Sequence, residues 1–336
     1  MKGAYHIVIQ SKNLKYEFDI KRNITIIKGD SATGKTTLIE LIREYGQEGE
    51  ESGIQLSCKA ECVVIEGQKW KDQLSAVKDS IVFIDETNKF IETQEFASAV
   101  KESTNYFVII TRESLEMLPV SVNEVYGIKS SGKYSSLAPV YHELYEIYES
   151  SFYSEPCSVC PNKIIVEDSN SGYEFFSHLS ERNNLECISA NGKSNIYNLI
   201  IHSDKEENIL IIADGAAFAS QMNRIIRLVK NNKNYHLYLP ESFEWMILKS
   251  GVIKDSEISE ILSSPYEYVL SEKWFSWERF FTDLLVYKTG EGYLKYSKKK
   301  LNSNYLHHNI FKKILSLVDI NDIMLSDENC LCYKQK

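Results

Sequence analysis

Nine residues near the start of the chain constrain its fold more than any other stretch. Residues 29–37 read Gly-Asp-Ser-Ala-Thr-Gly-Lys-Thr-Thr, the pattern G-x-x-x-x-G-K-[ST], between an apolar run at 24–27 and an amphipathic stretch at 37–45. This context predicts a strand, a glycine-rich turn and a helix, with backbone N–H groups and the positive end of the helix facing a phosphate. The segment therefore predicts an α/β domain with a phosphate site at the end of one strand.

Each position of the segment has an expected role. Lys35 would reach the β and γ phosphates of a nucleotide, Thr36 would place its hydroxyl on Mg²⁺, and Thr37 would help to hold the α phosphate. The loop around the phosphates would consist of Gly29, Asp30, Ser31, Ala32, Thr33 and Gly34. ATP with Mg²⁺ is therefore the expected ligand.

An acidic pair follows a second apolar strand. Residues 81–84, Ile-Val-Phe-Ile, precede Asp85 and Glu86. Asp85 would bind Mg²⁺ through water, and Glu86 would polarise the attacking water as a general base. Arg112, which follows the apolar run at 106–111, is placed either as an arginine finger or as an ordinary surface residue at the start of a helix.

On these two motifs, residues 1–130 resemble the P-loop NTPases. An antiparallel pair predicted at 5–10 and 14–18 is similar to that of the cassette-type or RecF-like branch. That branch closes on ATP with a Gly-Gly signature, whereas this chain contains no Gly-Gly pair, so slow hydrolysis, another activating group or a partner is implied. A nucleotide kinase is an alternative, although the pair Asp85 and Glu86 favours hydrolysis.

The remaining patterns predict two α/β domains in one chain. Apolar runs alternate with helical spacing, which is typical of parallel sheets covered by helices. The expected segments are a P-loop ATPase domain at 1–130, a connector rich in Ser, Gly, Tyr and Pro at 131–161 with one short amphipathic piece at 140–148, a smaller α/β domain at 162–250, and a helical region at 251–336.

Acids follow three predicted strands of the smaller domain: Glu167, Asp214, and either Glu241 or Glu244. Because the carboxyl ends of parallel strands meet at one edge of a sheet, these carboxylates are expected to converge. Such a group suits Mg²⁺ and could activate water against a phosphodiester. Alternatively, the acids cap the helices that follow the strands.

Residues 163–247 are similar to a Toprim domain, the fold of primases, topoisomerases and the OLD-family nucleases. Glu167 matches the Glu at the end of that family's first strand, and residues 189–196 resemble its Gly-Lys turn. Asp214 matches the first Asp of its D-x-D motif, and Glu244 resembles the late acid of OLD-type members. Ala216 stands in place of the second Asp, so Asp168 would have to compensate, or the domain binds metal weakly or is inactive.

Together the resemblances imply a P-loop ATPase that controls a Toprim-like, metal-dependent nuclease acting on DNA or RNA, a pairing found in bacterial anti-phage proteins. The alternative is a nucleotide-dependent switch that binds a partner protein and has an inactive Toprim-like domain. A homo-oligomer is compatible with both.

A lysine-rich segment near the end of the chain is the candidate nucleic-acid surface. The chain has a net charge of −9, which argues against binding nucleic acid over its whole surface. Residues 287–313, however, contain one acid and seven lysines: Lys288, Lys295, Lys298, Lys299, Lys300, Lys312 and Lys313. Four interleaved tyrosines could stack on unpaired bases: Tyr287, Tyr293, Tyr296 and Tyr305. The alternative is a solvated basic helix whose tyrosines pack inward.

The sequence also predicts a cytoplasmic protein with no membrane segment, because no run of 18 apolar residues and no signal-like N-terminus occurs. Its seven cysteines fit reduced thiols. Cys157 and Cys160 could form half of a zinc site, completed by Cys330 and Cys332 or by Cys58 and Cys62; ordinary thiols are the alternative.

Overall fold

The computed structural model describes residues 1–29, 33–130, 140–148 and 161–318. The chain divides into two compact units. Unit 1 consists of Met1–Tyr148 and Ser264–Ser276, and unit 2 of Glu149–Ser263 and Trp277–Lys336. This division differs from the successive segments predicted from the sequence, because residues 264–276 return to the first unit.

Unit 1 contains a mixed sheet. The described strands are β1 (Tyr5–Gln10), β2 (Leu14–Ile20), β3 (Ile24–Ile27), β4 (Gln55–Ser57), β5 (Cys62–Val64), β6 (Ile81–Ile84), β7 (Tyr106–Ile110), β8 (Val125–Ser130) and β9 (Val140–Glu146). They are ordered β4-β1-β2-β9-β8-β3-β7-β6-β5. The predicted antiparallel pair of β1 and β2 is confirmed, as is the parallel run from β8 to β5.

The central strands do not alternate between apolar and polar residues, because both of their faces are buried. Every residue of β3, β6 and β7 is buried, as expected of parallel strands covered on both faces. The described helices of this unit are α1 (Lys35–Glu48), α2 (Trp70–Ala76) and α3 (Gln94–Lys101). Helix α1 supplies Leu38, Ile39 and Ile42 to a core that includes Ile27 and Phe83.

The amphipathic piece predicted inside the connector is a strand of this sheet. Strand β9 pairs in parallel with β2 and antiparallel with β8. Its sequence, Val-Tyr-His-Glu-Leu-Tyr-Glu, buries His142 between the more exposed Tyr141 and Glu143, which is the period of two that a strand requires.

Unit 2 contains a smaller parallel sheet, as predicted. Its strands are β10 (Lys163–Val166), β11 (Glu186–Ser189), β12 (Ile209–Ile212) and β13 (Tyr235–Tyr238), in the order β11-β10-β12-β13. Its described helices are α4 (Ser171–Asn183), α5 (Lys193–Ile201), α6 (Ala219–Asn231), α7 (Phe243–Lys249), α8 (Ser256–Ser263), α9 (Trp277–Thr289) and α10 (His308–Leu315). Both units are therefore α/β. No helix in the described ranges is long and apolar enough to cross a membrane.

Candidate functional site

The glycine-rich loop lies where the sequence predicts it, between β3 and α1 of unit 1. Strand β3 lies between the parallel strands β7 and β8, so the loop leaves the carboxyl end of a central strand, where ligands of parallel sheets bind. Residues 30–32 of the loop lie outside the described residues. Gly34 adopts φ +93°, which favours glycine, and its carbonyl accepts the first helical hydrogen bond from the Leu38 N–H at 3.0 Å.

The side chain of Lys35 turns back onto the loop. Its ammonium donates to the Gly29 carbonyl at 2.8 Å and to the Thr33 hydroxyl at 3.2 Å, and the residue is 5% exposed. Thr36 is exposed and Thr37 is partly buried. The Lys35 ammonium is therefore bound to oxygen atoms of Gly29 and Thr33 that a phosphate oxygen could replace.

Asp85 and Glu86 follow β6 at the same edge of the sheet, because β6 pairs in parallel with β7 and β7 with β3. Asp85 is buried, and one of its carboxylate oxygens accepts from the Glu86 N–H at 2.8 Å. Glu86 is half-buried and its Oε2 lies 3.3 Å from Nε of Arg112, which follows β7. Arg112 thus contacts the predicted general base, a contact that the sequence did not predict.

Unit 1 contains two residues of the type that binds magnesium beside a nucleotide. Mg²⁺ at such sites takes one or two protein oxygens, with phosphates and water completing its shell. The Thr36 hydroxyl and the Asp85 carboxylate are oxygen donors of this kind, and both lie on the segments that end at this sheet edge. They would hold the ion that neutralises charge on the phosphates.

Two aromatic residues beside the loop were not predicted from the sequence. Tyr16 of β2 donates from its hydroxyl to the Gly34 carbonyl at 2.9 Å. Its ring stacks on that of His142 in β9, with centroids 4.5 Å apart and planes inclined by 9°. No local pattern identifies this pair, because residues 16 and 142 meet only through the register of β2 and β9.

In unit 2 the predicted acids approach one another. Glu167 and Asp214 follow the neighbouring strands β10 and β12, and Glu167 Oε2 accepts from the Asp214 N–H at 3.0 Å. Glu244, in the first turn of α7, is buried and accepts from the Tyr296 hydroxyl at 2.9 Å. Burial raises the pKa of Glu167 to about 7. Burial and the charges of Glu278, Glu167 and Glu244 raise the pKa of Asp214.

Lys298 places a positive charge among these acids. Lys298 forms an ion pair with Glu278, an acid in the first turn of α9 that the sequence analysis missed. Burial opposes the charged form of Lys298, yet the carboxylates of Glu244, Glu278 and Asp214 raise its pKa. Among the described residues, no group of three or more His, Cys, Asp or Glu could hold a metal ion. The expectation that Glu167, Asp214 and Glu244 bind a divalent cation stays a prediction.

Asp168 contacts the start of α4. Its carboxylate accepts from the N–H groups of Asn170 at 3.0 Å and Gly172 at 2.8 Å, at the start of α4. Asp168 thus has the helix-capping role that the sequence allowed as an alternative for these acids.

Three of the seven lysines in the lysine-rich segment, Lys288, Lys295 and Lys298, contact acids of unit 2. Lys288 contacts Asp255 and Glu257, and Lys295 contacts Glu291. Tyr296 and Tyr305 are buried, so the expectation that they stack on bases is wrong and the inward-packing alternative holds for both. Tyr287 and Tyr293 are exposed, as are Lys299, Lys300, Lys312 and Lys313.

Two cysteines of unit 1 lie near each other. A hydrogen bond from Cys62 lowers the pKa of the Cys58 thiol to about 6. The zinc prediction for Cys157 and Cys160, with Cys330 and Cys332 as partners, falls outside the described residues.

Comparison with known proteins gives no family assignment: no family model matches the chain, and no curated protein sequence matches it. The resemblances to P-loop NTPases and to Toprim domains therefore stay predictions from the sequence motifs.

Proposed function

We propose that the chain is an ATP-binding and ATP-hydrolysing protein whose catalytic site is in unit 1. The observation that supports this most directly is the Lys35 ammonium within the loop between β3 and α1, bound to the Gly29 carbonyl and the Thr33 hydroxyl. A phosphate entering the loop would replace these neutral acceptors with charged ones, and hydrogen bonds between charged groups are stronger.

The second part of the proposal is hydrolysis at the same sheet edge. The Glu86 N–H fixes the orientation of the Asp85 carboxylate. The remaining lone pairs of the carboxylate oxygens are available to the metal ion. Glu86 would accept a proton from the attacking water, with its carboxylate oriented by Arg112. Arg112 is about half exposed, so it could turn toward the phosphates when a nucleotide binds.

The test is phosphate release from Mg²⁺-ATP by the full chain. Lys35→Ala should abolish release, because it removes a charge that follows the transferring phosphate. Glu86→Gln should still bind ATP and hydrolyse it at least about 100-fold more slowly. Lys101→Ala, at the exposed end of α3, is the matched control. Unchanged phosphate release by Lys35→Ala would refute the assignment of the loop.

For unit 2 we propose a switch role, in which a Toprim-like domain binds a partner protein in one nucleotide state. The support is the ion pair of Lys298 and Glu278 among the acids, together with Ala216 in place of a ligand. The second candidate, a nuclease acting on DNA or RNA in phage defence, is favoured by the hydrogen bond between Glu167 and the residue Asp214 of the next strand.

A cleavage screen separates the two candidates. DNA and RNA substrates are incubated with the full chain and Mg²⁺ or Mn²⁺, with and without ATP, beside a Glu167→Ala variant. The switch role predicts no cleavage above that variant. Metal-dependent cleavage that Glu167→Ala and Asp214→Ala each abolish would favour the nuclease.

A further inference from the structure

The register between two strands of unit 1 brings a histidine to the phosphate loop. Tyr16 and His142 are paired residues of β2 and β9. The Tyr16 hydroxyl is fixed on the Gly34 carbonyl, and the His142 ring is fixed on the Tyr16 ring by stacking. The imidazole is therefore held in a defined orientation by a residue that itself contacts the loop.

His142 has an unsatisfied nitrogen. The residue is 8% exposed, and its Nδ1 is buried without a hydrogen-bond partner among the described residues. Buried polar atoms of native proteins are nearly always paired, because an unpaired one loses its hydrogen bonds to water and gains none. Burial also lowers the pKa of His142, so the ring is neutral at pH 7 and can carry a proton on either nitrogen.

The unsatisfied edge of the ring faces the last residue of the loop. A Cβ added to Gly34 would lie 3.3 Å from Cε1 and 3.5 Å from Nδ1 of His142. Gly34 directly precedes the 14-residue helix α1, so this edge lies beside a helix N-terminus, where N–H groups without helical partners attract anions.

We propose that His142 is a nucleotide-binding residue whose Nδ1–H donates a hydrogen bond to a phosphate oxygen of the nucleotide held by this loop, with Tyr16 as its positioning residue. The inference rests on the proposed ATP site. It explains why the fold keeps a polar ring at a buried position of β9, where an apolar side chain would pack without an unpaired nitrogen. The nucleotide-free protein is less stable than it could be, and the bound nucleotide supplies the missing partner.

The proposal predicts that one variant, His142→Phe, has a higher Tm without nucleotide and a lower affinity for Mg²⁺-ATP. His142→Phe keeps a ring on Tyr16 and removes the unpaired nitrogen, so the Tm of the nucleotide-free protein should rise by about 2–4 °C. Its affinity for Mg²⁺-ATP should fall about 10-fold or more, the loss expected for a hydrogen bond to a charged group. The affinity for inorganic tripolyphosphate should fall by the same factor, because His142 contacts a phosphate oxygen. His142→Asn, whose amide can replace Nδ1–H, should retain most of the affinity.

A second histidine provides the matched control. His236 of β13 in unit 2 also has a buried Nε2 without a partner among the described residues. His236→Phe should therefore raise the Tm in the same way and leave nucleotide affinity unchanged. Calorimetric titration of the full-chain variants measures their affinities for ATP and for tripolyphosphate.

Three results would contradict the proposal. Wild-type affinity in His142→Phe would overturn the proposal, and so would a loss confined to ATP, because the contact would then be to the nucleoside. An equal loss in His236→Phe would show that affinity follows general stability. A failure of the ATP site itself is recognised separately, because Lys35→Ala would then bind ATP as the wild type does.

Discussion

Replacing Gly34 by alanine tests the conformation of the phosphate loop. An L-residue at φ +93° costs about 1–2 kcal/mol. The new Cβ would lie 2.8 Å from the Tyr16 hydroxyl oxygen, closer than these atoms can approach. Tyr16 would have to move and lose its hydrogen bond to the Gly34 carbonyl, which contributes about 1 kcal/mol. We therefore expect Gly34→Ala to lower the free energy of unfolding by about 2–3 kcal/mol.

Urea unfolding followed by tryptophan fluorescence measures this change, since unit 1 contains the buried Trp70. Gly46→Ala, in the same helix, is the control: a Cβ there meets no atom within 4 Å, so stability should rise by up to about 1 kcal/mol. Adding Tyr16→Phe to Gly34→Ala should relieve the close contact but not the backbone strain. If Gly34→Ala stays within about 0.5 kcal/mol of the wild type, the conformation inferred for the loop is incorrect.

Two further predictions concern charged groups. Lys298→Met should destabilise unit 2 by about 1–3 kcal/mol, because it leaves the Glu278 carboxylate without its partner. Lys299→Met, at the exposed neighbouring position, should have little effect, and thermal unfolding of the two variants measures the difference. Cys58 should react with iodoacetamide with a midpoint near pH 6, because the thiolate is populated above that pH, and Cys62→Ala should move the midpoint upward by removing the hydrogen bond that stabilises the thiolate. A midpoint near pH 9 in the wild type would contradict the second expectation.

The elements predicted best are those whose signal is local and complete. The segment β3, loop and α1 carries strand, turn and helix signals in sequence, and the buried strands β6 and β7 read as unbroken apolar runs. The Ser, Gly, Tyr and Pro composition of residues 131–161 predicts a connector there, which hides strand β9. Only the pairing of β9 with β2 and β8 shows its place in the sheet. The three-residue strand β4 is too short to show a period.

The residues of the candidate sites also divide into those with a local sequence signal and those without one. Asp85 and Glu86 were predicted because an acid directly after a buried strand has a fixed place at the sheet edge. His142 and Lys298 have no such signal. His142 meets Tyr16 across 126 residues of sequence, and the Lys298 carbonyl is held by Ser171, 127 residues away. Contacts of this separation depend on how the strands are ordered, which a pattern read along one chain does not contain.

The return of residues 264–276 to unit 1 affects how the chain folds during synthesis. The Ser271 N–H donates to the Met1 carbonyl, and the Gly3 N–H donates to the Tyr266 carbonyl. Strands β10 to β13 therefore leave the ribosome before unit 1 has received its last segment. A chain truncated at the predicted boundary near residue 250 would lack that segment and the Lys298 carbonyl that holds Ser171. Neither unit is encoded by one continuous stretch, so each is complete only after part of the other has been synthesised.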